Sequence, residues 1–142
     1  MNKQAWRLIV VNDPALMAEF EAEAMRTLVD IKDAYDRIMS RGGKIYYNAP
    51  CMFLIVIDKT HSHAEMDCGI LAENVALAAT SMGLGNVHCG MAALIFAKDP
   101  EKFKKRLGVP EGFEFGLAVL VGKAAAEFKQ HEPDMTKVSY VK

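Results

Sequence analysis

The sequence has little of what marks disulfide-rich, secreted or membrane proteins. Its 142 residues include only three cysteines, which cannot all pair within one chain and are too few for a disulfide scaffold. The longest uninterrupted apolar run, residues 49–57, is too short to span a bilayer. Residues 1–6 contain no apolar stretch of the length that a signal peptide needs. We therefore expect a cytoplasmic protein that does not associate with a membrane.

An excess of charge of one sign is also absent. Lys and Arg number 17 against 18 Asp and Glu, so the formal net charge is -1. This balance gives no electrostatic reason to expect nucleic acid or an anionic membrane as a partner. The hydrophobic share of 51% and the charged share of 25% are those of a globular chain. With no linker, repeat or low-complexity run, residues 1–142 are expected to form a single domain.

Strand and helix patterns alternate along the chain. Four runs rich in apolar and β-branched residues predict strands, at 6–11, 51–57, 86–89 and 115–121. Two Asp-Pro pairs, at Asp13 and Asp99, are typical of helix starts, with Asp as the N-cap and Pro in the first turn. The apolar spacing after Asp13 predicts one long helix or two consecutive helices that end by Gly43. The alternation favours an α/β or α+β fold.

A further helix is predicted over 63–82. Ser62 and Glu65 form an S-x-x-E capping box, and Gly83 is a plausible stop. Between 68 and 79 only Glu73 and Asn74 are strongly polar, and a helix that is apolar nearly all round is buried all round. In so short a chain, a partner subunit could cover part of this helix.

The glycine-rich segment 83–90 allows two interpretations. It begins G-x-G, but His88 occupies the place of the third glycine of a dinucleotide-binding fingerprint. The segment also follows a helix and precedes a strand, which is the reverse of the order that a Rossmann fold requires. It is therefore either a helix stop with a tight turn, or a place where small residues let backbone N–H groups approach a flat ligand.

Metal binding and nucleophilic catalysis are not indicated. His61, His63 and Cys68 lack the paired short spacing of a zinc site. His88 and Cys89 are adjacent on a predicted strand, so their side chains point to opposite faces and do not form a catalytic pair. The alternating tail 138–141 could pair with a sheet edge, either its own or a partner's.

Four segments, in register over nearly the whole chain, resemble the motifs of one protein family. Residues 2–7 are similar to an N-x-Q-P-W motif that leads into a central strand, with Ala5 in place of the proline. Residues 48–50 are similar to an x-A-P strand entry. Residues 67–85 match the central helix pattern D-x-G-x-x-x-x-N-x-x-L-A-A-x-x-x-G-L-G.

The fourth segment is 107–112, which together with the following strand and Gly122 is similar to an L-G-x-P-x-G segment. The tail 131–134 with 138–141 is similar to tails of members from anaerobes. On these motifs the chain resembles the nitroreductase family of FMN-dependent oxidoreductases.

The resemblance implies an α+β, nitroreductase-like fold with a mixed central sheet flanked by helices. It also implies a homodimer, with the central helix buried at the dimer interface and FMN bound between the subunits. The implied activity is hydride transfer from NAD(P)H through the flavin to a small acceptor such as a nitroaromatic compound or a quinone. The flavin performs the redox chemistry, so no side-chain nucleophile is needed.

Ten cofactor-binding residues follow from the resemblance. The amides of Asn2 and Gln4 would face the flavin ring or the ribityl chain. The backbone N–H groups of 87–90 would lie along the ring, and Lys129 and His131, a K-x-H where relatives often carry K-x-R, would approach the phosphate. The full set is Asn2, Gln4, Arg41, Lys44, Val87, His88, Cys89, Gly90, Lys129 and His131.

The resemblance also has a departure. Family members normally open with helices that carry an R-R-S-x-R motif for the FMN phosphate, and this sequence begins after that segment. The alternative expectation is therefore a short, non-catalytic dimer of the same fold that binds flavin weakly or not at all.

Overall fold

A four-stranded sheet forms the centre of the computed structural model, which describes residues 3–126 and 131–141. The described strands are β1 (Trp6–Val11), β2 (Cys51–Asp58), β3 (Gly85–His88) and β4 (Phe113–Gly122). They lie in the order β1-β2-β4-β3, so β1 and β3 are the two edges. All four predicted strands are present, and the α+β class is confirmed.

The sheet is antiparallel at all three of its described pairings, where the resemblance implied a mixed sheet. β2 and β3 do run in the same direction, as two strands joined by a helix usually do. They are not neighbours, because β4 lies between them and pairs antiparallel with both. The insertion of the last strand therefore removes the parallel pairing.

Helices cover both faces of the sheet. The described α-helices are α1 (Pro14–Leu28), α2 (Lys32–Ser40), α3 (Ala64–Ser81) and α4 (Pro100–Leu107), and 3-10 helices occupy Gly90–Phe96 and Met135–Lys137. The long apolar pattern after Asp13 is thus two consecutive helices. The predicted N-caps are confirmed, because the carboxylates of Asp13 and Asp99 accept hydrogen bonds from the N–H groups of Leu16 and Lys102 at 2.8 and 3.1 Å.

The predicted capping box at Ser62 is wrong. Helix α3 begins one residue later than the box requires, with His63 as its N-cap and no side-chain capping bond. The hydroxyl of Ser62 lies 2.9 Å from Nδ1 of His63 instead. The apolar pattern, and not the cap, therefore accounts for the correct prediction of this helix.

The sheet has a hydrophobic core on each face. On one face, α1, α2, α4 and the first 3-10 helix pack around Phe20 and Phe103, whose ring centroids are 5.8 Å apart in an edge-to-face contact. On the other face, α3 is the only described helix that packs against Ile55, Ile57 and Val119. The α3 side of the sheet is therefore the thinner one.

Helix α3 is buried on one side only within the described chain. Its buried residues recur every three or four positions and are small: Ala64, Cys68, Ala72, Ala76 and Ala79. The opposite side exposes Met66 by 63%, Ile70 by 57% and Leu77 by 58%, and we call these three residues the outer α3 face. The tail 138–141 is exposed and unpaired with the described strands, so its pairing with a partner stays a prediction.

None of the described helices has the length and the apolar character needed to cross a membrane.

A close contact between α3 and the sheet lies at Gly116 on β4, and it provides a test of the fold. A Cβ at Gly116 would lie 2.7 Å from Sγ of Cys68 and 3.1 Å from Cγ2 of Ile57. We expect Gly116→Ala to lower the free energy of unfolding by about 1–3 kcal/mol, because a packed core resists an added methyl group. Urea unfolding measures the change.

Gly69→Ala is the matched control. Gly69 lies within α3, where an added Cβ meets no atom within 4 Å. Alanine is the better helix former, so this change should raise the free energy of unfolding by about 0.5–1 kcal/mol. Equal stability of the two variants would contradict the described packing of α3 on β4.

Candidate functional site

A large cavity lies at the end of the sheet where β2 begins and β4 ends. Its volume is about 1130 Å³, slightly above the range of about 300–1,000 Å³ that is typical of small-molecule sites. Three segments and one side chain line it: 47–50, 83–87, 120–126 and Thr80. The cavity thus joins the turn before β2, the start of β3 and the chain that leaves β4.

Two glycines bring the walls of this cavity close together. A Cβ at Gly122 would lie 2.6 Å from Cδ of Pro50, and a Cβ at Gly85 would lie 3.1 Å from Ala124. At Gly122 only glycine permits this approach, whereas at Gly85 a side chain would require Ala124 to move by a few tenths of an ångström. Gly83, at φ 72°, ends α3 as predicted and turns the chain towards β3.

The wall before β2 is a tight and unusual turn. Tyr47 and Asn48 have φ angles of 54° and 57°, and the N–H of Ala49 donates to the carbonyl of Tyr46 at 2.8 Å. Two central residues with positive φ define a type I′ turn, which normally contains glycine. For Tyr47 the left-handed region costs about 1–2 kcal/mol, whereas Asn48 is of a residue type that tolerates this region. We call these four residues the 46–49 turn.

Two charged side chains hold the 46–49 turn. The carboxylate of Glu21 on α1 accepts hydrogen bonds from the N–H groups of Ile45 at 2.7 Å and Tyr46 at 3.0 Å. The guanidinium of Arg41 lies over the ring of Tyr47, 4.7 Å from its centroid. Neither contact was predicted, because Glu21 lies 24 positions before Ile45 in a regular helical pattern.

The outer edge of β3 presents free backbone groups beside the cavity. The N–H of Cys89 donates to the carbonyl of Ala118 at 2.7 Å, and His88 is the next residue in the same antiparallel register. Bonded groups alternate along an antiparallel strand, so the N–H of His88 points away from β4. Because β3 is an edge strand of the described sheet, that N–H is available to a ligand.

The side chains of His88 and Cys89 point to opposite faces, as the sequence predicted. The ring of His88 lies on the α3 side, with Nε2 3.9 Å from a carboxylate oxygen of Glu73. Cys89 is buried in the core on the other face. The pair therefore cannot act as a nucleophile and its base.

The three thiols and one phenol are shielded from solvent. Burial raises the pKa of Cys51, Cys68 and Cys89 above the ordinary thiol value. Burial also raises the pKa of Tyr46, and the nearby Cys89 and Glu21 add to the effect. All four groups are therefore neutral at physiological pH. Across residues 3–126 and 131–141, no three histidine, cysteine or carboxylate side chains are grouped as a metal ion requires.

The structure brings some of the predicted site residues together. Val87 lines the large cavity, His88 ends β3 on the free edge of the sheet, and Gly90 begins the 3-10 helix that follows. Arg41 contacts Tyr47 in the cavity wall, and Lys44 is exposed on the same loop. His131 is exposed in the tail, while Asn2 and Lys129 lie outside the described residues.

Gln4 lies elsewhere. It precedes β1 at a φ of 46°, and the neighbouring Ala5 carbonyl accepts from the N–H of Asp58 at the far end of β2. The edge strands β1 and β3 are three strand spacings apart, which is about 14 Å across the sheet. Along the strand direction, Trp6 and His88 are offset by about four residues, which is about 13 Å. Residues next to Gln4 line a separate cavity of about 490 Å³ near the start of α3. One chain therefore does not bring Gln4 to Val87.

The neutral thiols give a direct test of this part of the structure. We expect the native protein at pH 8 to react slowly with a thiol reagent, because the raised pKa values lower the thiolate fraction and burial blocks access. Cys51, the least buried of the three thiols, should react first, and all three thiols should react rapidly in denaturant. Rapid labelling of Cys89 in the native state would contradict its place in the core.

Several solved structures are similar to this one. A nitroreductase with bound FMN from Desulfitobacterium hafniense DCB-2 is 48% identical, with a TM-score of 0.94 over 100% of this chain and 78% of that chain. A nitroreductase with bound FMN from Bacteroides fragilis NCTC 9343 is 26% identical, with a TM-score of 0.85 over 100% and 79%. An FMN-dependent nitroreductase from Clostridium difficile R20291, 24% identical with a TM-score of 0.80 over 99% and 80%, shares the fold.

No curated protein matches the chain. The model of the Nitroreductase family matches residues 1–123, which is most of the sequence. This match agrees with the four sequence segments that resemble the family and with the sheet that has helices on both faces. The chain belongs to the nitroreductase family.

Proposed function

We propose that the protein is a cytoplasmic, FMN-dependent oxidoreductase that transfers a hydride from NAD(P)H through the flavin to a small acceptor. Nitroaromatic compounds and quinones are the acceptor classes that the family suggests. The observation that carries the proposal is the large cavity beside the free edge of β3, in a chain that belongs to the nitroreductase family. The similar D. hafniense and B. fragilis proteins have FMN bound.

The residues around the cavity fit the chemistry of FMN. A flavin ring needs an apolar slot, hydrogen-bond partners for its polar edge and cations for its phosphate. Leu84, Val87 and Leu120 supply apolar wall, and the outward N–H of His88 supplies a donor. Lys123 is a cation in the wall, on the chain that leads towards Lys129. When bound, FMN supplies the hydride chemistry, and the protein supplies position and exclusion of water.

Each group in the cavity then has a task that follows from its chemistry. The apolar wall excludes water from the ring, which strengthens every polar contact made there. The backbone donors of the β3 edge orient the ring. Lys123 in the cavity wall, with Lys129 and His131 from the segment that follows it, would neutralise the phosphate. No thiol takes part, since Cys89 is neutral and buried in the core.

We further propose that the complete site forms only in a homodimer. Gln4 and Val87 lie at opposite edges of the sheet, so one flavin cannot reach both within one chain. Two copies can complete the site if Asn2 and Gln4 of one copy lie against the β3 edge of the other copy. The outer α3 face is the apolar surface that the second copy would cover, because its three apolar side chains are each more than half exposed on one side of the helix.

The decisive test of function is spectroscopic. The purified protein, incubated with FMN and passed through a desalting column, should retain the flavin absorbance. Anaerobic NADH or NADPH should bleach that absorbance, and a quinone or nitroaromatic compound should restore it. A protein that takes up no FMN at micromolar concentrations would instead support the short, non-catalytic dimer.

The phosphate contacts can be tested separately from the ring. We expect Lys129→Ala to weaken FMN binding roughly tenfold or more, because a charge-assisted hydrogen bond to phosphate contributes about 1.5–3 kcal/mol. Lys123→Ala should act in the same direction. Fluorescence titration with FMN and with riboflavin measures both effects, and riboflavin, which lacks the phosphate, should bind all variants equally.

Lys137→Ala is the matched control for these two variants. Lys137 pairs with Asp134, with Nζ and the carboxylate 3.6 Å apart, and does not line the cavity. Its removal should leave FMN affinity unchanged. If Lys129→Ala and Lys123→Ala also bind FMN as the parent does, neither lysine contacts the phosphate.

The dimer can be tested at the outer α3 face. We expect Ile70→Glu to produce monomers in analytical ultracentrifugation and to lose most FMN affinity, although Ile70 does not line the cavity. Ile31→Glu, at an apolar residue exposed by 49% at the start of α2, should change neither property. A monomeric Ile70→Glu protein with the FMN affinity of the parent would show that the site is complete in one chain.

A further inference from the structure

The 46–49 turn is the strained part of the cavity wall. Tyr47 and Asn48 both adopt left-handed backbone conformations, and both line the cavity. Strain of this kind persists only where the surrounding structure holds it, and it clusters at ligand sites. The turn is therefore a candidate ligand-binding part of the cavity wall.

The carboxylate of Glu21 on α1 binds the backbone at the start of the turn. One carboxylate oxygen accepts from Ile45 at 2.7 Å and the other from Tyr46 at 3.0 Å, so both oxygens are used. The ring of Tyr46 is only 1% exposed and fixes the first residue of the turn in the core. These contacts leave the turn little freedom to relax, and they determine the direction in which Tyr47 leaves it.

The ring of Tyr47 contacts the guanidinium of Arg41 and also lines the cavity. It is 49% exposed and lines the cavity, whereas Arg41, whose guanidinium lies 4.7 Å from the ring centroid, does not. One face of the ring is thus covered by Arg41, and the ring also reaches the cavity space. Aromatic side chains placed in this way stack flat rings in an offset or edge-to-face arrangement.

We propose that Tyr47 is a stacking residue for a planar aromatic ligand in the cavity, and that Glu21 is a positioning residue that holds the turn carrying it. The proposal rests on the proposed function, because the planar ligand is either the flavin ring or a flat acceptor. Both ligands offer a planar ring for stacking, and separate measurements distinguish them.

The ring contact is tested with Tyr47→Phe and Tyr47→Leu. Lumiflavin, which is the flavin ring without the ribityl phosphate, probes the flavin as the source. Menadione, a planar quinone, probes the acceptor through its KM with the FMN-loaded protein. A stacking contact contributes about 0.5–1.5 kcal/mol, so its loss in Tyr47→Leu should weaken one of the two interactions by about two- to tenfold. Tyr47→Phe should retain the parent value.

The outcomes separate the two sources. A weaker lumiflavin affinity assigns Tyr47 to the flavin ring, and a raised menadione KM at unchanged kcat and unchanged lumiflavin affinity assigns it to the acceptor. Tyr35→Leu, at a tyrosine on α2 that does not line the cavity, should change neither. Unchanged values in Tyr47→Leu would overturn the proposal. A parent protein that binds neither probe would overturn the proposed function as well.

The positioning role of Glu21 is tested with Glu21→Gln. Gln replaces one of the two acceptor oxygens by an NH2 group, which sets a donor against an N–H group of the turn, so the interaction that depends on Tyr47 should weaken at least about twofold. Glu23→Gln is the matched control, because Glu23 lies on the same helix and pairs with Arg26 instead of the turn.

A double-variant cycle distinguishes positioning from a general loss of stability. If Glu21 acts through Tyr47, Glu21→Gln should have no further effect on the probe in the Tyr47→Leu background. Additive effects would overturn the positioning role. Tyr47→Gly separates binding from folding, because glycine relieves the left-handed strain of the turn while it removes the ring. We expect it to unfold no earlier than Tyr47→Leu and to bind the probe as weakly, and parent-like binding would overturn the proposal.

Discussion

The structure depends on the close packing of β4 between two strands and under one helix. β4 pairs with β2 and β3 at once, and Gly116 lets the small residues of α3 approach it on one face. At its end, Gly122 lies against Pro50 so closely that no side chain would fit. The position of α3, the start of β2 and the walls of the large cavity all follow from this strand. Gly116 and Gly122 are therefore required for the packing of β4 against its neighbours.

The division of the site between two edges follows from the same topology. Because β4 is inserted before β3 in the sheet, the segment that enters β1 and the segment that follows β3 lie at opposite edges. A ligand that contacts both requires a second copy, and the thin α3 side of the sheet leaves apolar residues for such a copy to cover. The proposed homodimer and the proposed composite site both rest on this strand order.

Much of the fold was predictable because local signals agreed with the tertiary structure. The four apolar runs, the two Asp-Pro helix starts and the glycine stop at Gly83 each act through neighbours a few positions away, and each is present as predicted. The capping box failed for a local reason, since Ser62 bonds to the ring of His63. The sheet order could not be predicted, because antiparallel and parallel pairing of buried strands share one hydrophobic pattern.

By itself, the sequence determined the elements and the family. The separation of Gln4 from the β3 edge was decided by the tertiary structure, since a distance across four strands has no local signature. The tertiary structure also decided the contact of Glu21 with Ile45 and Tyr46, because a glutamate in a helical pattern carries no sign of a partner 24 residues away. The left-handed conformation of Tyr47 has no local signal of its own, because tyrosine does not favour positive φ, and the distant carboxylate of Glu21 binds the turn that contains it.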